Sequence, residues 1–152
     1  MAKTFSRRGG FAKRQTPYRS GLEDDIAIQL KYVGIEADYE KYSVSYSIPE
    51  SKHIYTPDFI LPNGIIIEAK GIFDTADRQK HLLIQKQHPE LDIRFVFSNP
   101  NTKLYKGSKT SYAAWCTKHG FQYASKFIPE SWLKDKKKRD LTALYRKGGG
   151  KG

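Results

Sequence analysis

Tyr55-Thr56-Pro57-Asp58-Phe59-Ile60-Leu61-Pro62-Asn63-Gly64-Ile65-Ile66-Ile67-Glu68-Ala69-Lys70 is the run whose reading decides the fold. Two stretches rich in apolar and β-favouring residues, 55–61 and 65–70, flank Pro62-Asn63-Gly64, which is strong turn chemistry. A β-hairpin follows. With a three-residue loop and Gly64 left-handed, Leu61 faces Ile65 and Asp58 falls opposite Glu68, their Cβ atoms about 4.5 to 5.5 Å apart. Lys70 then shares the face of Glu68, while Ile67 and Ala69 point to the opposite, packed face. A two-residue Asn63-Gly64 turn would instead pair Asp58 with Ala69 and divide the acids between faces, unless a bulge intervened.

Two carboxylates and an amine in the pattern P-D then E-x-K suit hydrolysis of a phosphodiester. Such a substrate is anionic and repels an anionic nucleophile, so cleavage near neutral pH calls for a divalent ion that neutralises charge and acidifies water. Mg²⁺ prefers oxygen ligands, which Asp58 and Glu68 supply. Lys70 adds a cation for the attacking water or the transition state. The competing reading is a surface ion cluster, which stabilises by only about 0 to 1 kcal/mol.

A chain of 152 residues with 38% hydrophobic and 13% aromatic side chains suits one folded domain with a real core. No apolar run approaches the ~18 residues of a membrane span, and the N-terminus lacks a signal-peptide core, so an intracellular soluble protein is expected. Cys116 is the sole cysteine, which excludes an intrachain disulfide and a cysteine metal cage. Beside Tyr112 and Trp115, it reads as a core residue of a helix.

The net charge of +11 is unevenly spread. Residues 1–19 carry six basic side chains and no acid, residues 134–152 carry eight basic and two acidic, and residues 20–133 sum to −1. Basic arms on a near-neutral body suit nucleic-acid phosphates, bound by counterion release with little sequence preference. Both ends look flexible by composition, and a solubilising tail or an acidic protein partner is the alternative.

Elsewhere helices and strands alternate. Ser20 can cap a helix whose apolar face is Leu22, Ile26, Leu30 and Val33, ending at Gly34. Ser20-Gly21-Leu22-Glu23 fits a capping box, which alone could explain Glu23. Residues 35–40 suggest a short strand and 42–48 an alternating, half-buried one. A helix over 75–87, a strand over 93–97, a helix over 111–118 and an edge strand over 121–124 complete a mixed sheet flanked by helices, α/β or α+β. Pro49-Glu50-Ser51-Lys52-His53 interrupts two strand-like runs without a Gly-rich turn. His53 is a candidate phosphate contact; His81, His88 and His119 read as helix or loop residues and form no convincing metal pair.

Ser20-Gly21-Leu22-Glu23, Tyr55-Thr56-Pro57-Asp58-Phe59, Leu61-Pro62-Asn63-Gly64, Glu68-Ala69-Lys70-Gly71, Arg78 with Lys80-His81-Leu82-Leu83-Ile84, His88-Pro89-Glu90-Leu91-Asp92-Ile93-Arg94 and Thr102-Lys103-Leu104-Tyr105-Lys106-Gly107-Ser108 together resemble the endonuclease I of short-tailed bacteriophages. The resemblance spans about residues 18–133, with a basic arm at 1–17 before it and a basic tail at 134–152 after it. It implies a DNA endonuclease that resolves four-way (Holliday) junctions in the cytoplasm of the infected bacterial host. It also implies a restriction-endonuclease-like core in an intertwined homodimer, its segments exchanged through a bridge near 45–54. Glu23, Asp58, Glu68 and Lys70 match the family's catalytic positions. Asp58 and Glu68 would hold the main Mg²⁺, for which Mn²⁺ could substitute, and Glu23 would join Asp58 at a second ion, reaching the other chain's site. Lys70 would orient the hydrolytic water. Ala69 stands where the family has threonine; the contribution there is a main-chain carbonyl, which alanine also supplies. Arg7, Arg8, Lys13 and Arg14 are the candidate DNA contacts of the arm. A restriction-type duplex nuclease, or a non-catalytic DNA-binding protein, are the other classes the residues allow.

Overall fold

The computed structural model describes residues 20–48 and 51–146. Arg7, Arg8, Lys13 and Arg14 lie outside them.

The central hairpin forms in the three-residue register. Strand β4 (Phe59–Ile60) pairs antiparallel with β5 (Ile66–Lys70), Phe59 opposite Ile67 and Ile60 opposite Ile66. Leu61 N–H donates to Ile65 O at 2.9 Å, Gly64 N–H donates to Leu61 O at 2.8 Å, and Gly64 takes φ 89°. The same register sets Asp58 against Glu68. The expected strand over 55–61 is broken, however, because Pro57 has no N–H to give and Asp58 N–H donates to the Glu68 side chain.

Around this hairpin runs a five-stranded mixed sheet in the order β1-β4-β5-β6-β7. Strand β1 (Asp38–Tyr39) is antiparallel to β4, while β6 (Ile93–Phe97) and β7 (Gln122–Ser125) run parallel to β5, with β7 at the edge. Helix α1 (Gly21–Val33) covers one face with Ile26 and Leu30, joined by Ile128 and by Trp132 of α4 (Glu130–Lys134). Helices α2 (Thr75–Gln87) and α3 (Tyr112–His119) cover the other, where Ile84, Tyr112, Trp115 and Cys116 meet Phe73, Phe95 and Phe97. Phe73 touches four of these rings with centroids 4.9 to 5.7 Å away, contacts worth about 0.5 to 1.5 kcal/mol each beyond their burial. Burial pushes the Cys116 thiol up to about 12, as suits a core residue.

The helix ends follow from sequence. Ser20, Asp74 and Ser111 each accept a backbone N–H from the first turn, and Gly34 and Gly120 close α1 and α3 in the left-handed conformation. Only the Ser20 half of the expected capping box is seen: Ser20 Oγ accepts from Glu23 N–H at 3.1 Å, while the Glu23 carboxylate accepts from the Tyr39 hydroxyl at 3.3 Å.

Strands β2 (Tyr42–Ile48) and β3 (Ser51–Tyr55) form an antiparallel ribbon within one chain, Val44 opposite Tyr55 and Ile48 opposite Ser51. The segment expected to bridge two chains is therefore paired within one chain here. The C-terminal stretch also departs from expectation. Residues 134–146 are docked rather than loose: Leu141, Ala143 and Leu144 pack on the core, and β8 (Tyr145–Arg146) pairs with β2.

Candidate active site

The open end of the β4–β5 hairpin gathers Glu23, Asp58, Glu68 and Lys70. Asp58 and Glu68, each 3% exposed, are linked by the Asp58 N–H, which donates to Glu68 Oε2 at 3.0 Å. Ala69 N–H donates to Asp58 Oδ2 at 2.9 Å, so the backbone of each partner fixes the carboxylate of the other. Lys70 Nζ lies 4.0 Å from Glu68 Oε1 and 3.2 Å from Asp77 Oδ1. Glu23 comes from the first turn of α1 and is also 3% exposed. One oxygen from each of Glu23, Glu40 and Asp58 lies within 4.8 Å of the others.

Carboxylates this close and this dry resist ionisation. Burial, then Glu68, then a hydrogen bond and charge from Glu23, push Asp58 up to about 9. Burial likewise raises Glu68, against the opposing pull of Lys70, the Tyr55 hydroxyl and the Asp58 N–H. A buried cluster of carboxylate oxygens fits a hard divalent cation, and the group formed by Glu23, Glu40 and Asp58 contains no sulfur or histidine. Glu23, Asp58, Glu68 and Glu40 are the donors on hand.

Three further residues shape this neighbourhood, and only Tyr55 of them lies within the motif run. Tyr55 donates its hydroxyl to Glu68 Oε2 at 2.7 Å. With the Asp58 N–H it occupies that oxygen and leaves Oε1 facing Lys70. Asp77 steers Lys70 from the first turn of α2. Glu40 holds a left-handed backbone, φ 47°, unusual for glutamate, and its N–H donates to Asp58 O at 2.9 Å. His81, read as a helix residue, is fully buried in α2 against Tyr55, Phe73 and Phe95. Its Nε2 lies 3.8 Å from Glu68 Oε1, but burial, with Lys80 and Lys70, lowers its pKa well below the usual value, so the ring is neutral and the contact is no ion pair. His53, half-buried on β3, is bonded to Ser51 and stacked on Tyr46.

A profile of the family described as Phage endonuclease I matches residues 1–151. The chain belongs to the phage endonuclease I family. It is 57% identical over 135 residues to Endonuclease I of Escherichia phage T7, covering 88% of this chain and 91% of that protein. It is 58% identical over 133 residues to Endodeoxyribonuclease 1 of Enterobacteria phage T3, covering 86% and 88%. In this phage endonuclease I chain the four residues singled out by motif converge on one hairpin end, whereas those assigned to the N-terminal arm lie outside the described residues.

Proposed function

We propose that this DNA endonuclease cuts four-way junctions and other branched DNA by metal-dependent hydrolysis, inside the infected bacterial cell. The observation that carries the chemistry is the convergence of Asp58, Glu68 and Lys70 with Glu23. Glu68 and Asp58 would hold one Mg²⁺, with the Ala69 carbonyl beside them, and Glu23, Asp58 and Glu40 a second. A bound divalent ion supplies an acidified water and neutralises charge on the phosphate. Lys70, held between Glu68 and Asp77, places its ammonium where a water or a phosphate oxygen gains negative charge. Phosphate contacts position DNA without reading its sequence, so selectivity would rest on the shape of a basic surface.

The active form we propose is an intertwined homodimer with a restriction-endonuclease-like core in each half and two composite sites, suited to paired incisions. Two features support exchange through the β2–β3 ribbon. The sequence Pro49-Glu50-Ser51-Lys52-His53 between the two strand-like runs lacks the Gly-rich turn that a tight hairpin favours. Ile54 on the same ribbon is 64% exposed. Opened out, the ribbon would carry Glu23 to the partner's Asp58 with the contacts it makes here to its own.

The test compares a four-way junction with a linear duplex of the same sequences, in Mg²⁺ and in EDTA. Junction cutting in Mg²⁺ alone is expected; equal cutting of both substrates removes junction selectivity, and no cutting of either favours a DNA-binding protein. Mixing Glu23→Ala with Lys70→Ala subunits tests exchange. Shared sites leave one site of each heterodimer intact and restore cleavage; inactivity of a verified heterodimer rejects them.

A further inference from the structure

The near-neutral body conceals a basic third. Residues 93–129 contain six lysines and arginines and no acid at all, so residues 20–92 hold nearly all the acidic charge. Three of those cations, Lys103, Lys106 and Lys109, stand on the loop between β6 and α3, and all three are exposed, as is Tyr105 at 66%. None of the ion pairs among the described residues engages them.

The loop is ordered by its own bonds. Leu104 N–H donates to Thr110 O at 2.9 Å, Ser108 N–H to Tyr105 O at 2.9 Å and Tyr112 N–H to Thr102 O at 2.8 Å. Leu104 packs on the core beneath it, and Gly107, at φ 90°, makes the turn. A tyrosine held outward on such a loop has little conformational freedom left to lose on binding.

Its base borders the catalytic strand. Parallel pairing sets Lys70 beside Phe97, and the first residue beyond β6, Ser98, donates its N–H to Lys70 O at 3.1 Å. Where the loop returns, the Tyr112 hydroxyl accepts from Phe73 N–H at 3.2 Å. The two ends of the loop thus bracket the segment that follows Lys70.

We propose that the 101–110 loop is a DNA-contact surface of the catalytic body, distinct from the terminal arm. Lys103, Lys106 and Lys109 hold backbone phosphates next to the cutting site, and Tyr105 stacks on a base exposed at the branch. An aromatic face needs an unstacked base, which a branch point offers and a continuous duplex does not. This rests on the DNA-cutting function proposed above, and it makes Tyr105 a determinant of substrate shape.

The experiment measures binding of the full chain to a four-way junction and to a linear duplex in EDTA, across a salt series. In a Lys103→Gln, Lys106→Gln, Lys109→Gln variant, the slope of log affinity against log salt should fall by roughly 2 to 3, about 0.9 for each phosphate that is no longer neutralised. An unchanged slope overturns the proposal. Tyr105→Ala should weaken junction binding by about 10-fold while sparing the duplex, and Tyr105→Trp should restore it. Equal weakening on both substrates, or failure of Trp to rescue, rejects the stacking role. Thermal melting checks that each variant is folded, which substitutions at exposed positions should preserve within about 0.5 kcal/mol. Binding in EDTA is independent of cutting: a wild type that binds but cuts neither DNA in Mg²⁺ defeats the nuclease reading while the slopes still decide the loop.

Discussion

At the turn of the β4–β5 hairpin, acids meet arginines; at its open end, acids meet chiefly one another. Asp92 takes hydrogen bonds from Arg94 at 2.8 and 2.9 Å and from Arg139 at 2.8 Å, and Arg139 also reaches Asp135 at 3.0 Å and Asn63 O at 3.2 Å. Burial alone would push Asp92 up, but these bonds outweigh it and hold the carboxyl below its usual value. Asp58, at the far end of the hairpin from those arginines, is pushed up to about 9. One cluster is paired with arginines and fastens the chain; in the other, burial raises both carboxyls, an environment that suits a cation. Both are acidic in sequence, so only the company they keep separates a structural carboxylate from a functional one.

The widest gap between the two ends should appear in activity. Lys70→Ala or Glu68→Ala should lower cleavage at least about 10³-fold while leaving junction binding in metal-free buffer, whereas Asp92→Asn should leave a folded chain that still cuts. Loss of folding in the Lys70 and Glu68 variants would instead make the open end a structural ion cluster like the turn.

Stability against pH sharpens the same contrast with opposite signs. Without a divalent ion, Asp58 titrates at about 9 in the folded chain and near 3.8 when unfolded. Between those values the folded chain holds a proton that the unfolded chain has released, so stability falls as pH rises through that window. Asp92, lowered on folding, contributes stability above its ordinary value and loses it as pH falls through the depressed one. Asp58→Asn should therefore stabilise the chain in EDTA at pH 8, by about 1 to 3 kcal/mol in urea denaturation, and flatten the alkaline slope. Asp92→Asn should destabilise it and flatten the acid limb. If Asp58→Asn is no more stable than wild type in EDTA, the carboxylates at the open end are not in conflict.

How much of this contrast is legible in the sequence depends on how local its causes are. Gly64, two residues from Pro62, announces the hairpin register, and with it the pairing of Asp58 with Glu68, because turn chemistry is written in adjacent residues. Tyr55 lies inside the motif run, though its bond to Glu68 is made by the fold, whereas Asp77 and Glu40 reach the site through packing of separate elements and nothing near them in sequence announces it. The 134–146 segment misleads for a related reason. Lys136-Lys137-Lys138 dominates its composition, while the residues that dock it, Arg139, Leu141 and Leu144, act through partners as distant as Asn63 and Asp92. Composition averages over a segment, but docking depends on a few side chains.

Arg139→Ala tests whether the turn cluster fastens that segment. The side chain is only 5% exposed, and removing it strands Asp92 beneath a loosened C-terminal stretch. Breaking one partner of a fully buried pair costs about 3 to 5 kcal/mol; with Asp92 28% exposed, about 2 to 3 is expected. For a chain of this size that lowers the melting temperature by roughly 5 to 10 °C. Hydrogen exchange should rise at Tyr145 and Arg146 before it rises in β5. Uniform loss across the sheet would mean that the cluster supports the whole fold rather than the segment.

Gly64→Ala should give the smallest effect and the most local one. A Cβ at that position would stand 2.9 Å from Arg139 Cβ, and φ 89° is a backbone conformation that side-chain-bearing residues rarely adopt. Both penalties fall on the turn, together about 1 to 2 kcal/mol. If the hairpin register is held there alone, the strain will slip it and cleavage will fall with stability, since a one-residue shift carries Asp58 away from Glu68. The ladder argues otherwise. Glu68 is tied to Asp58 N–H and to Tyr55, and β5 is paired along its length with β6, so the open end is held independently of the turn. Stability should drop while the rate of junction cutting at saturating Mg²⁺ stays within about twofold, and a parallel loss of both would show that the turn, rather than the parallel ladder, sets the geometry of the acids.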